Sequence, residues 1–423
     1  MMKKVLALLC LAAAFAFTGC SSDDNQKVTV IEQPQQTGEF IDIPLSEQQK
    51  TQIPVLNDFA LNLTRQMAAG NKSFVVSPLS VAFLLGMLDE GAEGETQIEI
   101  ARTLGLGNAS RENVNKLMAA LIGYTSSADK QVTVACANNV TLNSTKKYLL
   151  SESFGNAMKT YYDASLFSFD FTKPEALTAI NNWSNKHSNG LIPSIIDELD
   201  DNAVMCLLNA IYFKGKWLRP FDESNTSASP FKNGNGKWTD IKMMNDKATA
   251  NFYEESNFKA LNLLIGNGTY SMTLILPAKG RTIGSILSSM SANELQQMSF
   301  EEHEVDMTIP IFKTETSTDL IPLLSRMGIE KVFDANSSQL TRMVTNAQNP
   351  LYVALMKQKT QLGINEEGTE GSAVTLAELY VGSAGTGTES QTYTFYANRP
   401  FAYFISDKGS GAILFMGVFA GEE

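Results

Sequence analysis

Residues 365–381, Asn365-Glu366-Glu367-Gly368-Thr369-Glu370-Gly371-Ser372-Ala373-Val374-Thr375-Leu376-Ala377-Glu378-Leu379-Tyr380-Val381, alternate with a period of two. Counted from Thr369, one face of a strand would carry Thr369, Gly371, Ala373, Thr375, Ala377 and Leu379, all uncharged. The other face would carry Glu370, Ser372, Val374, Leu376, Glu378 and Tyr380. Small uncharged side chains on an inward face can enter between elements that are already packed, so the run reads as a loop able to become a strand or as an ordinary edge strand. It then dissolves into Gly382-Ser383-Ala384-Gly385-Thr386-Gly387-Thr388-Glu389-Ser390, a composition accessible to proteases. The remainder of the chain decides between the two.

The N-terminus has the form of an export signal. Lys3 and Lys4 precede an apolar run from Val5 to Phe17, shorter than the roughly 20 residues of a spanning helix. The run ends in Phe17-Thr18-Gly19-Cys20, which resembles a bacterial lipobox with Phe17 in place of the usual leucine. Cleavage before Cys20 and its lipidation would tether the chain to a membrane by acyl chains. Ser21-Ser22-Asp23-Asp24 resembles the acidic tract of surface-routed lipoproteins, and the polar stretch that follows, with Gln33-Pro34-Gln35-Gln36, reads as a spacer. The expected organisation is a signal peptide over 1–19, a tether over 20–45 and one domain over 46–423. The expected location is the bacterial cell envelope, outside the cytoplasm, on the outer membrane or cell surface.

With 43% hydrophobic and 18% charged residues the chain is globular, and a net charge of −12 argues against nucleic acid as a partner. Cys10 lies in the signal, and Cys136 and Cys206 sit in apolar runs where thiols act as small core residues; a disulfide between them stays open. His187 and His303 are the only histidines, both in polar surroundings that suggest the surface, and neither belongs to an HExxH motif. There is no GxSxG elbow and no phosphate-binding glycine motif after a strand, so no catalytic residues, metal or cofactor are expected. Trp217 and Met243-Met244 read as core.

Ser46-Glu47-Gln48-Gln49 offers a capping box for a helix burying Ile53, Leu56, Phe59, Leu63 and Met67. Ser77-Pro78 caps a second helix through Leu88, and a third is expected from about Thr96 to Leu104. Strands are expected over Gln131–Leu142, Val204–Phe213, Tyr270–Leu276, Val305–Phe312 and Gly411–Phe419. With no repeat and no second linker, the fold class is a single α+β domain.

Five segments converge on one family. Asn71-Lys72-Ser73-Phe74-Val75-Val76-Ser77-Pro78-Leu79-Ser80, Gly91-Ala92-Glu93-Gly94-Glu95-Thr96, Asn209-Ala210-Ile211-Tyr212-Phe213-Lys214-Gly215-Lys216-Trp217, Glu366-Glu367-Gly368-Thr369-Glu370 and Asn398-Arg399-Pro400-Phe401 resemble serpin motifs in serpin order, over about residues 46–421. The resemblance implies helices around a large mixed or antiparallel main sheet, smaller sheets, and an exposed reactive loop over about 366–397. It implies a suicide substrate: a target serine protease forms an acyl-enzyme on the loop, and the cleaved segment inserts into the main sheet and traps it covalently. Glu366, Glu367, Gly368, Thr369, Glu370, Gly371, Ser372 and Ala373 would form the hinge of that loop. Ser77, Ser80, Asn209, Trp217 and Gln358 would be the shutter and breach groups, Gln358 standing where many members have histidine.

Taking Glu366 as the first of 17 residues places the scissile bond after Gly382, and one residue fewer after Val381; Ser383, Ala384 and Thr386 stay in range. No Arg or Lys occurs between Lys359 and Arg399, which favours elastase-like or subtilisin-like targets over trypsin-like ones. A monomer is expected. The alternatives are a non-inhibitory serpin, or an unrelated surface lipoprotein that binds glycan.

Overall fold

Ser46 opens the domain with the expected capping box: its hydroxyl accepts from Gln49 N, and the Gln49 side chain accepts from Ser46 N. The fold is that of a computed structural model, which describes residues 43–68, 71–346, 350–369 and 391–421. Among the described residues nine α-helices form: α1 (Glu47–Met67), α2 (Pro78–Gly91), α3 (Gly94–Thr103), α4 (Arg111–Thr125), α5 (Glu152–Tyr162), α6 (Pro174–His187), α7 (Ile283–Ser289), α8 (Ala292–Gln297) and α9 (Leu320–Arg326). Helix α1 buries Ile53, Leu56, Phe59 and Leu63 as its spacing demands, while Met67 is only partly covered. Helix α2 is buried all round, and its apolar sequence leaves no polar face to wet.

The first strands are β1 (Phe74–Val76), β2 (Val132–Asn143), β3 (Ser165–Phe169), β4 (Met205–Lys216) and β5 (Ser227–Lys232). Next come β6 (Trp238–Glu254), β7 (Phe258–Ile265), β8 (Tyr270–Pro277), β9 (Glu301–Pro310) and β10 (Phe312–Asp319). The last are β11 (Leu355–Ile364), β12 (Gly368–Thr369), β13 (Tyr393–Tyr396), β14 (Phe401–Asp407) and β15 (Ile413–Phe419).

They build a mixed six-stranded sheet, β10-β11-β12-β4-β2-β3, and a nine-stranded one, β1-β15-β14-β8-β7-β6-β9-β13 with β5 paired to β6. Helix α6 lays Ile180 and Trp183 against Ala137, Leu208 and Ala210 on the outer face of the six-stranded sheet. The opposite face meets α2, through Ser80 against Asn209. Covered on both sides, β4 is buried along almost its whole length and reads as a continuous apolar run.

Two expectations need correction. The strand expected over Val305–Phe312 is two strands in different sheets, β9 ending at Pro310 and β10 starting at Phe312. Pro310 has no N–H to donate, Ile311 N adds one last bond to Lys242 O on β6, and from Phe312 onward the backbone pairs with β11 instead, Phe312 opposite Ile364. His303 is not a surface residue: it is half-buried on β9, its ring 4.5 Å from that of Tyr393 and its Nε2 3.5 Å from Glu301. Cys136 and Cys206 are free thiols, facing Ile211 and Thr141 five positions apart along the β2–β4 ladder.

Candidate functional site

The chain leaves β11 at Ile364 and turns at Asn365, whose side-chain oxygen accepts from the amides of Glu367 and Gly368, both at 3.1 Å. The turn returns Gly368 and Thr369 antiparallel to β11, with Thr369 opposite Ile364. The same two residues pair antiparallel with β4, Gly368 against Lys216 and Thr369 against Gly215. Residues 368–369 are therefore a strand of two residues inserted between β4 and β11 at one end of the sheet. Below them β4 and β11 pair directly and in parallel, from Leu355–Cys206 to Thr360–Ile211.

Thr369 is 1% exposed, and its hydroxyl donates to Gly215 O at 3.0 Å while lying 2.9 Å from Gly215 N. Gly368 sits at φ +156°, and a Cβ there would stand 2.3 Å from Gly215 O and 2.6 Å from Lys216 Cα. Close approach to the β4 backbone, and not only flexibility, requires glycine at this position. Trp217 clamps the turn from the side, its amide donating to Glu367 O at 2.9 Å and its indole N–H to Asn365 O at 2.8 Å. Phe221 N donates to Glu366 O at 2.9 Å, and the Glu366 carboxylate accepts from the Thr226 hydroxyl at 2.6 Å.

Halfway down the seam the other sequence-predicted residues meet. Gln358 and Asn209 are directly opposed across the parallel pair, both fully buried. Gln358 Oε1 accepts from Ser77 N at 2.9 Å, and its Nε2 donates to Ser80 Oγ at 2.7 Å and to Ser77 O at 3.0 Å. The Ser80 hydroxyl donates to Asn209 Oδ1 at 2.7 Å, and Asn209 Nδ2 reaches Asn138 Oδ1 at 3.0 Å and Cys136 Sγ at 3.4 Å. One hydrogen-bonded net thus ties the N-terminus of α2 to β2, β4 and β11 in a dry interior, where removing a single member strands the others. Burial pushes the Cys136 thiol up to about 12, so it stays protonated beside Asn209.

Sequence reading named Ser77, Ser80, Asn209, Gln358 and Trp217, and the fold brings the first four into one cluster, with Trp217 apart from it against the turn at Asn365. It missed Asn365, whose signal was an Asn two residues before a Glu-Gly pair, and it missed Asn138, Phe221 and Thr226, which carry no local signal. Cys20, Glu370, Gly371, Ser372, Ala373, Val381, Gly382, Ser383 and Ala384 lie outside the described residues. The chain returns at Gln391, and β13 docks in parallel on β9, with Thr392 Oγ1 donating to Glu304 at 2.6 Å and Lys259 Nζ to Thr394 O at 3.1 Å.

Comparison with known proteins agrees with this geometry. A family model described as Serpin (serine protease inhibitor) matches residues 54–421. Iripin-8 of Ixodes ricinus is 31% identical over 376 residues, spanning 85% of this chain and 91% of that protein. Among solved structures, the thermophilic serpin tengpin in its native state superposes with a TM-score of 0.81 at 23% identity, over 90% of this chain and 96% of its own. Thyroxine-binding globulin in complex with thyroxine does so with a TM-score of 0.78 at 26% identity, over 88% and 99%.

Proposed function

This chain belongs to the serpin family, whose members are in general serine protease inhibitors, and from that premise we propose that it is itself an inhibitor that traps a protease by loop insertion. The observation that carries the reading is the two-residue strand β12, seated between β4 and β11 at the head of a parallel seam. On insertion in the same register, Gly371 would come between Phe213 and Leu362, Ala373 between Ile211 and Thr360, and Thr375 between Asn209 and Gln358. Ala377 would then meet Leu207 and Met356. The residues facing the core on β11, Met356, Gln358, Thr360 and Leu362, are at most 2% exposed, so the uncharged face of the loop is the one that would be buried.

Insertion replaces one parallel ladder by two antiparallel ones, which pair slightly better per residue. About a dozen new backbone hydrogen bonds at roughly 0.5–1.5 kcal/mol net each supply on the order of 10 kcal/mol, comparable to the stability of a whole domain. The uncleaved form must therefore be held kinetically, by the Gln358–Asn209 net and by the clamp on the turn. A bond after Val381 or Gly382, with Ser383 and Ala384 in reserve, suits proteases with shallow apolar pockets of the elastase or subtilisin kind. Lipid on Cys20 would hold the inhibitor on the outside of a bacterial envelope.

Incubation with subtilisin and with an elastase tests the reading: an SDS-stable adduct is expected, lighter than the summed mass by the released C-terminal peptide, which should start between Gly382 and Gly385. Cleavage without an adduct would assign the chain to the non-inhibitory serpins, and cleavage only beyond Glu389 would overturn the bond assignment. Cys20→Ser should release the protein from the membrane fraction.

A further inference from the structure

The segment from Trp217 to Phe221 does more than clamp the hinge. It crosses over β6 and β7, with Trp217 bridged to Ile265 and Leu218 N donating to Leu264 O at 2.8 Å, and roofs a cavity of about 200 Å³. Trp217, Phe221, Ala248, Ala250 and Met307 give this cavity apolar walls, and Asp246 stands in it as a half-buried carboxylate. Asp246 accepts the backbone N–H of Lys247 and, among the described residues, no side-chain hydrogen bond or ion pair. Arg219 at the rim donates through Nη1 to Thr249 O at 3.2 Å and forms no ion pair within 4 Å of Asp246 among the described residues. Burial raises the carboxyl of Asp246 above its ordinary range, against the pull of Arg219. Asp222 acts on Asp246 with the same sign of charge and Glu302 adds a second carboxylate to the lining, so Arg219 and the Lys247 amide face several negative groups, and a ligand that brings a positive charge and fills the space beside the apolar walls is favoured.

We propose that this cleft is a binding site for a small organic cation with a flat apolar body, and that its occupancy stiffens the hinge. The volume lies below the roughly 300 Å³ at which drug-sized sites begin, so the ligand class is an arylalkylamine or a comparably small amine, its ring against Trp217 and Phe221 and its ammonium on Asp246. The coupling follows from connectivity. The backbone amides of Trp217 and Phe221 are the donors that hold Glu367 and Glu366, so a ligand that props up this segment also holds the turn that must move for insertion. That second part rests on the inhibitor reading of the loop, whereas the binding does not.

The experiment uses the full chain, with phenethylamine as probe and 3-phenylpropionate as an anion of matched shape. Calorimetric titration should give saturable binding of the amine at least tenfold tighter than that of the acid. Asp246→Asn should weaken the amine tenfold or more and leave the acid unchanged or slightly tighter. Ala250→Leu, which fills the cavity without touching the carboxylate, should remove binding of both. Equal affinities for amine and acid, no binding of the amine, or an Asp246→Asn protein that binds the amine as wild type does would each overturn the site. Hydrogen exchange at the Trp217 and Phe221 amides should slow at least threefold on saturation with the amine, and unchanged exchange would overturn the stiffening. Adduct formation with subtilisin should then slow at least twofold. An absence of adduct with any protease would strike the inhibitor reading and leave the calorimetric and exchange results standing.

Discussion

Thr369 shows how much one side chain can decide. At 1% exposure, with its hydroxyl bonded to the Gly215 backbone, it occupies a slot that accepts neither bulk nor charge. Thr369→Arg should leave cleavage of the loop intact while abolishing the SDS-stable adduct, since burying an unpaired charge costs several kcal/mol. An adduct formed at the wild-type yield would refute loop insertion as the trap. Gln358 makes the complementary case. Its amide satisfies Ser77 and Ser80 at once, so Gln358→Ala should leave buried partners unpaired and lower stability by about 1–3 kcal/mol. The melting temperature should fall, and under the proposed inhibitory function the titre should be lost faster on storage at 37 °C as the seam opens unaided. Gln358 keeps this net without a titratable group, unlike a histidine at the same place.

Elements succeed or fail here by what their ends do. Strand β11 alternates buried and half-buried residues along its whole length, with Lys357 and Lys359 on the outer face, where Lys359 pairs with Glu315 at 3.0 Å, but the polar Gln358 and Thr360 on the buried face interrupt the period-2 signal in the sequence. Strands β9 and β10 follow one another with only Ile311 between them and alternate apolar and polar residues throughout, so the change of sheet has no local mark: Ile311 N still bonds Lys242 on β6, while Phe312 already faces Ile364 on β11. At the end of β14, Asp407 caps the turn into β15, accepting from Ser410 N at 2.6 Å and from the Ser410 hydroxyl. Burial raises its carboxyl above the ordinary 3.8, and the Ser410 bonds only partly offset this. The folded state therefore binds this proton more readily than the unfolded chain, so its contribution to stability is greatest below the unfolded value and is lost as pH rises through the folded one. Measured against Asp407→Asn by denaturant unfolding, the relative stability of wild type should decline from pH 4 towards neutrality. A difference that grows with pH would show that the carboxylate form is the one the turn prefers.

An inhibitor of the kind proposed would hold two structures in one sequence. The described fold seats two residues of the loop and leaves β4 and β11 zipped beneath them, so completing the sheet after a nick in the loop should raise the melting temperature by tens of degrees, measured on cleaved and intact protein side by side. An unchanged melting temperature after complete cleavage would mean that the seam does not open. The alternation from Thr369 to Leu379, the Ser46 and Ser77 helix caps and the five ordered motifs could be read directly, because each depends on neighbours within a few residues. Gln358, Asn209, Ser80 and Ser77 could be named through resemblance alone, since they lie up to 281 residues apart and nothing local in the chain marks them as partners. The turn at Asn365, the Trp217 and Phe221 clamp and the cavity behind it belong to the tertiary structure only. Many of the groups that meet there are backbone amides and carbonyls, which every residue carries alike, and the Asn365 side chain and Trp217 indole reach theirs only because β4, β11 and the segment after Lys216 pack together.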